Sequence, residues 1–228
     1  MSTIDIILTF ALVTYMFLVS YATKKTFEWM KNRGLEEKDA IYFNRKFVHI
    51  FAGGVVTLFI PFLSTPLLPL LAGIIITLLT LLSHLKGRRF YWFQTNEDKN
   101  DVNFCLMWTI SIVGLWYLLG NPWLAIIPAT YMAFGDGVTG LARNMIFKKR
   151  FKHPIGNCFM FAVCAPIGII LAFISGITGM TLWAMLSAAA ASFLEKYEFG
   201  PIDDNVIITV SSSIVLSIGF LVMLIIKV

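Results

Sequence analysis

Apolar residues run along the chain in long unbroken blocks instead of alternating with polar ones. Eight blocks stand out, over residues 4–22, 47–64, 66–85, 102–119, 122–134 or somewhat beyond, 155–175, 181–194 and 206–226. About 20 consecutive apolar residues are what an α-helix needs to cross a hydrocarbon core about 30 Å thick. Backbone groups in lipid must bond within their own segment or around a closed barrel. The period-two alternation of a barrel strand is missing from continuous runs such as Gly73 to Leu82, so the pattern predicts helices. The expectation is an all-α, polytopic transmembrane helix bundle of about eight spans, a single integral membrane domain over residues 1–228.

The polar connections between blocks differ sharply in charge. Segments 61–66, 119–122 and 175–180 carry none, whereas 23–46, 86–101, 143–153 and 195–205 carry 7, 4, 5 and 1 Lys/Arg, which is 17 of the chain's 18. By the positive-inside rule these four connections lie in the cytoplasm and both termini outside. The first block has its cations, Lys24 and Lys25, after it and not before, which predicts a retained span and not a cleaved signal. The stretch 27–46 mixes Phe27, Trp29, Leu35 and Phe43 with charges of both signs, the composition of an interfacial helix or helix pair on the inner leaflet. Gly53 and Gly54, Gly176 and Gly179, and the four alanines 188–191 offer places where helices can approach closely.

Composition narrows the class further. With 58% hydrophobic and 14% charged residues, the chain has too little charge to cover a soluble globule of 228 residues. The net charge of +5 follows from the basic connections and calls for no nucleic-acid partner; nothing resembles a nucleic-acid-binding module. Cys105, Cys158 and Cys164 lack metal-ligand spacing and read as buried thiols.

Four polar stations lie at the cytoplasmic mouths of the spans. Arg45, Lys46 and His49 form an R-K-x-x-H group, with 45 and 49 on one helix face, able to hold phosphate oxygens or move a proton. Gly135-Asp136-Gly137-Val138-Thr139-Gly140 matches G-x-G-x-x-G in letters, but a membrane span precedes it and not a strand, which excludes a dinucleotide fold. A helix starting at Trp123 carries Asp136 about 20 Å along its axis, inside the inner leaflet, where a carboxylate is costly and by default functional. Its flanking glycines leave room for a phosphate or metal to approach the backbone. The run Lys148-Lys149-Arg150-Phe151-Lys152 before Gly156 suits polyphosphate or anionic headgroups. Glu195 and then Asp203-Asp204-Asn205 supply hard oxygen ligands suited to Mg²⁺ bound to phosphate; a helix cap needs only one such residue. Cations for a polyphosphate, oxygens for a metal and a carboxylate at membrane depth suggest phosphoryl-type transfer to or from a lipid.

In order and spacing, Arg45-Lys46-Phe47-Val48-His49 with Gly53, Gly135-Asp136-Gly137, Lys152 with Gly156, and Glu195 followed by Asp203-Asp204-Asn205 resemble the polyprenol kinase family of dolichol and phytol kinases over about 160 residues. The resemblance implies a multi-span enzyme that uses CTP and Mg²⁺ to phosphorylate a long-chain isoprenoid alcohol, releasing CDP. It implies that Asp136 and Asp204 share general-base and Mg²⁺ duties, and that Asp203 and Asn205 complete the metal site. Arg45, Lys46 and Lys152 would hold phosphates with His49 beside them, and Gly135, Gly137, Gly156 and Glu195 would line the nucleotide site. The chain departs from the family where further glycines are usual, carrying Arg143, Asn144 and Met145, and in its 152–157 segment, which lacks an acid and ends in Asn157. The expected location is a plasma membrane if the source is prokaryotic, otherwise the endoplasmic reticulum membrane. Two alternatives stand beside the kinase. A CTP-dependent cytidylyltransferase acting on a lipid phosphate shares the Gly-Asp element but has glycine-rich and D-R-x-D elements missing here. A transporter would place ionisable groups at the midplane, where these spans have none.

Overall fold

Ser2 opens the first helix with a reciprocal cap: its hydroxyl accepts from Asp5 N while its own N–H donates to the Asp5 carboxylate. The structure, a computed structural model, describes residues 2–87, 90–147, 153–197, 199 and 202–226. The first helix, α1 (Thr3–Asn32), runs on well past its apolar block, because 23–32 contain no Pro or Gly to stop it. After the turn at Gly34, with φ at +86°, the chain re-enters helix at Glu37 and continues without interruption as α2 (Glu37–Phe62). The predicted interfacial pair is therefore the continuous extension of two spans. α3 (Leu67–Leu85), α4 (Asn100–Leu119), α5 (Pro122–Arg143, with helix continuing to Phe147), α6 (Pro154–Ile174), α7 (Met180–Leu194) and α8 (Asp204–Ile226) complete the bundle.

Seven of these helices are long and apolar enough to cross a membrane, and the protein is an all-α multi-pass membrane bundle as the hydrophobic pattern predicts. The eighth predicted span, α7, has 15 residues and is about 22 Å long, shorter than a bilayer core. Gly176 and Gly179 adopt positive φ and shape the turn before α7; Gly179 is also a point of close approach as expected, since a Cβ there would run into Met223 of α8, whereas Gly176 faces open space. Of the four alanines 188–191, Ala188 and Ala191 are fully buried between α6 and α8 together with Ala184, while Ala189 is exposed and Ala190 half-buried, as the turn of the helix requires. Of the three cysteines only Cys164 is buried; Cys105 is half-buried and Cys158 faces outward, since its position on α6 points away from the bundle axis.

α5 is the central helix, with most of its length enclosed by its neighbours. Asn121 caps its start, accepting from Trp123 N and Leu124 N, and Pro122 takes the first helical position, where no N–H is needed. Pro128 has no N–H to donate, and the helix is segmented there. Two stretches take the wider π-helical winding, Val48–Gly54 in α2 and Tyr131–Gly135 in α5, and these pack against each other. Such turns are often found at functional sites.

Candidate active site

The two π stretches bring the R-K-x-x-H group and the Gly-Asp element together. The Lys46 amine donates to both Asp136 carboxylate oxygens at 2.5 and 2.6 Å, and His49 Nδ1 lies 3.5 Å from Asp136 Oδ2. Lys46, His49 and Asp136 are each at most 4% exposed. The helix does not break at Gly135; it continues through it, so Asp136 is enclosed among helices.

The glycines of this element serve helix packing. A Cβ on Gly137 would fall 2.5 Å from Ile50 Cγ1 of α2, and one on Gly140 would fall 2.8 Å from Lys46 Cε. One on Gly135 would fall 2.5 Å from Cys164 Sγ. Gly140 sits one turn beyond Asp136, so its bare face lets the Lys46 stem lie across α5 and deliver its amine to the carboxylate. Room for phosphate at these backbones, as the sequence suggested, is taken up by Ile50, Lys46 and Cys164 because the segment stays helical.

Glu195, at the end of α7, accepts from Arg143 Nη2, and a carboxylate oxygen each of Asp136, Glu195 and Asp204 lie within 4.8 Å of one another. Three helices thus contribute an acid to one point. Arg143 takes the place where the resembled family has glycine, and sequence reasoning did not assign it a role. Its signal was a lone arginine one turn beyond Thr139, in a helix otherwise free of cations as far as 147. Gly156, expected on the nucleotide, makes room for it: a Cβ there would fall 2.7 Å from Arg143 Nε.

The Asp-Asp-Asn triplet divides its duties. Asp203 accepts from Val206 N at 3.2 Å and so caps α8, and it also accepts from Asn205 Nδ2 at 3.0 Å. Burial raises the Asp203 carboxyl above its ordinary value. Asp204 is the member that joins the acidic group. Asn205 Nδ2 also reaches Asn100 O, while its Oδ1 is buried without a partner among the described residues. Arg45, expected on phosphate, donates to Asp98 at 2.9 Å. Lys152 lies outside the described residues, as does the cationic run 148–152 as a whole.

The group's composition fits a divalent cation. Three carboxylates from three helices converge within 4.8 Å of one another, an arrangement of acids that a divalent cation can bridge. The donors are hard oxygens, and Asn205, next in sequence to Asp204, has a buried Oδ1 with no partner among the described residues.

On its other side His49 fronts an apolar cavity of about 320 Å³ between α1, α2, α3 and α4. Its ring stacks on Phe104, centroids 4.0 Å apart, and Gly53 admits that ring, since a Cβ would fall 2.5 Å from Phe104 Cζ. The acidic group and the apolar cavity therefore meet at one imidazole. Comparison with protein-family models, with curated proteins and with solved structures finds no match.

Proposed function

We propose that the protein transfers the γ-phosphoryl group of a nucleoside triphosphate, CTP by the family resemblance, to the hydroxyl of a long-chain isoprenoid alcohol. The observation that carries this is the meeting of Asp136, Glu195 and Asp204 with Lys46 and Arg143 at one end of the bundle, with His49, 3.5 Å from Asp136, also lining an apolar cavity. Phosphoryl transfer asks mainly for charge neutralisation and positioning, and acids that hold Mg²⁺ beside fixed cations supply both.

Asp136, Glu195 and Asp204 would hold the Mg²⁺, with Asn205 Oδ1 as a further oxygen, and the metal would neutralise charge on the β- and γ-phosphates. Lys46 and Arg143 keep the Asp136 and Glu195 carboxylates oriented in their buried setting. The alcohol oxygen bonds to the γ-phosphorus as the bond from that phosphorus to the β–γ bridging oxygen breaks, and CDP leaves. The hydroxyl proton passes to His49, whose Nδ1 lies 3.5 Å from the Asp136 carboxylate. The basic connections would put this chemistry on the cytoplasmic face, where nucleotides are, of a plasma membrane or the endoplasmic reticulum.

CTP labelled separately at the α and γ positions tests the reaction. The expected result is γ label on an added polyprenol, release of CDP, dependence on Mg²⁺ and no pyrophosphate. Label reaching lipid from the α position, with pyrophosphate released, would overturn the kinase in favour of a cytidylyltransferase. ATP as the better donor would leave the reaction class intact and remove CTP.

A further inference from the structure

The cavity in front of His49 is the first of three that follow one another through the bundle. A second, of about 60 Å³, shares Ala52, Gly53 and Phe104 with the first, and a third, of about 30 Å³, shares Val56 and Trp108 with the second. Met16 of α1 and Ile76 of α3 line all three. From His49 to Ile60, which lines the last, α2 advances 11 residues, about 16 Å. We propose that this seam is the binding site for the hydrocarbon tail of a single-chain, uncharged lipid alcohol, held inside the protein with its hydroxyl at His49.

The lining settles the chemical class. The inner two cavities and the outer one are bounded almost wholly by carbon, and such cavities do not hold water stably. The narrowing from the first cavity to the second and third suits one chain and not two. The charged groups at the head end are already neutralised within the protein, Arg45 by Asp98 and Asp101 by His84 at 2.9 Å. Among the described residues a phosphate there would meet no uncompensated cation, whereas a neutral hydroxyl needs only a hydrogen-bond partner, which the imidazole provides. The mouth opens between α1 and α3, where Phe17, Tyr21 and Leu79 are exposed at the bundle's outer surface. Trp92 closes the end next to the polar connection, its indole N–H donating to Ser20 O at 2.9 Å and its carbonyl accepting from Asn44. The tail therefore points away from the charged end.

The seam deepens the phosphotransfer reading, but its test needs no turnover. Long-chain primary alcohols carrying a photoreactive diazirine either near the hydroxyl or near the tail are added to the full-length protein in phosphatidylcholine vesicles, and the labelled residues are mapped by mass spectrometry. The head-proximal probe is expected to label Phe93 and Phe104, and the tail probe Val13, Trp108 and Leu12. Val56→Trp, at a position that lines only the inner two cavities, should cut tail-probe labelling of Trp108 and Leu12 at least tenfold and leave head-proximal labelling intact. Ala72→Phe, from another wall of the innermost cavity, repeats the test should the first variant fold poorly. Labelling confined to the outward residues Phe10, Leu18 and Leu82, or equal seam labelling by a diazirine-bearing phosphatidylcholine, would overturn the proposal. Correct seam labelling in a protein that transfers no phosphate would refute the kinase and leave the lipid site standing.

Discussion

Lys46 and Asp136 form a fully enclosed ion pair, and the two residues differ in what their loss should do. Lys46→Met leaves a buried carboxylate without its main partner, a change that typically costs about 3–5 kcal/mol. Adding Asp136→Asn removes the stranded charge and should recover most of that stability, measured by thermal unfolding in nanodiscs. Activity should not recover: Asp136→Asn alone is expected to lower turnover by on the order of 10²–10⁴. Glu97→Gln is the control, because its pairing with Lys38 is 71–74% exposed and such pairs contribute at most about 1 kcal/mol. A Lys46→Met protein as stable as the parent would show that the pair is not buried in the membrane.

At this scale the sequence was informative about which residues matter and less so about what each does. Asp136, Lys46, His49 and Glu195 could be picked out because charge beside long apolar blocks is conspicuous. That Asp203 caps a helix while Asp204 faces the acids could not be read, since a one-residue step turns a side chain by about 100° and the start of α8 was uncertain by about that much. Arg143 was overlooked because its partner, Glu195, lies 52 residues further on.

Among the elements, the two π stretches decide the geometry. A π turn holds one residue more than an α turn needs, so it shifts the faces on either side of it relative to each other. In α2 it lies between the charged end, which meets Asp136, and Thr57, whose hydroxyl accepts from Trp108 Nε1 at 2.6 Å. Deleting Ala52 should restore α winding and turn Lys46 and His49 about 100° away from Asp136. The expected outcome is a protein that inserts with unchanged helicity by circular dichroism and loses at least about 10²-fold in activity, since misplacing catalytic groups by an ångström can cost that much. Retained activity would mean that α2 tolerates either winding. Hydropathy located all eight helices, but it averages over turns and cannot register one additional residue within a span. For the same reason it missed that α1 and α2 extend through the polar stretch 23–46, where helical propensity and not hydrophobicity sustains them.

For the molecule as a whole, the polar contacts sort by end. Lys46 with Asp136, Arg143 with Glu195 and Arg45 with Asp98 gather where the basic connections leave the spans. Asp5 with Ser64, and Asn121 with Ser175, lie at the other end. Cysteine-accessibility labelling should therefore find 23–46, 86–101, 143–153 and 195–205 on the cytoplasmic face and both termini outside. Finding 86–101 and 195–205 on opposite faces would be incompatible with Arg45 and Glu195 belonging to one site. This arrangement was the most legible feature of the sequence, because charge asymmetry acts on whole loops and needs no residue-level precision.

α1 is fastened at both ends and nowhere strongly between. Near its start Asp5 accepts from Ser64 N at 3.0 Å and from the Ser64 hydroxyl; toward its other end Thr26 donates to Asn44, and Ser20 O accepts from Trp92. Between these points it meets its neighbours across the apolar seam, through side chains such as Leu12, Val13 and Met16. A helix held in this way cannot swing aside like a door. It can only bow outward, against the lateral pressure of the acyl chains around it. Membrane stiffness thereby becomes a parameter of access to the seam, with fluid, unsaturated bilayers admitting a guest more readily than rigid, saturated ones.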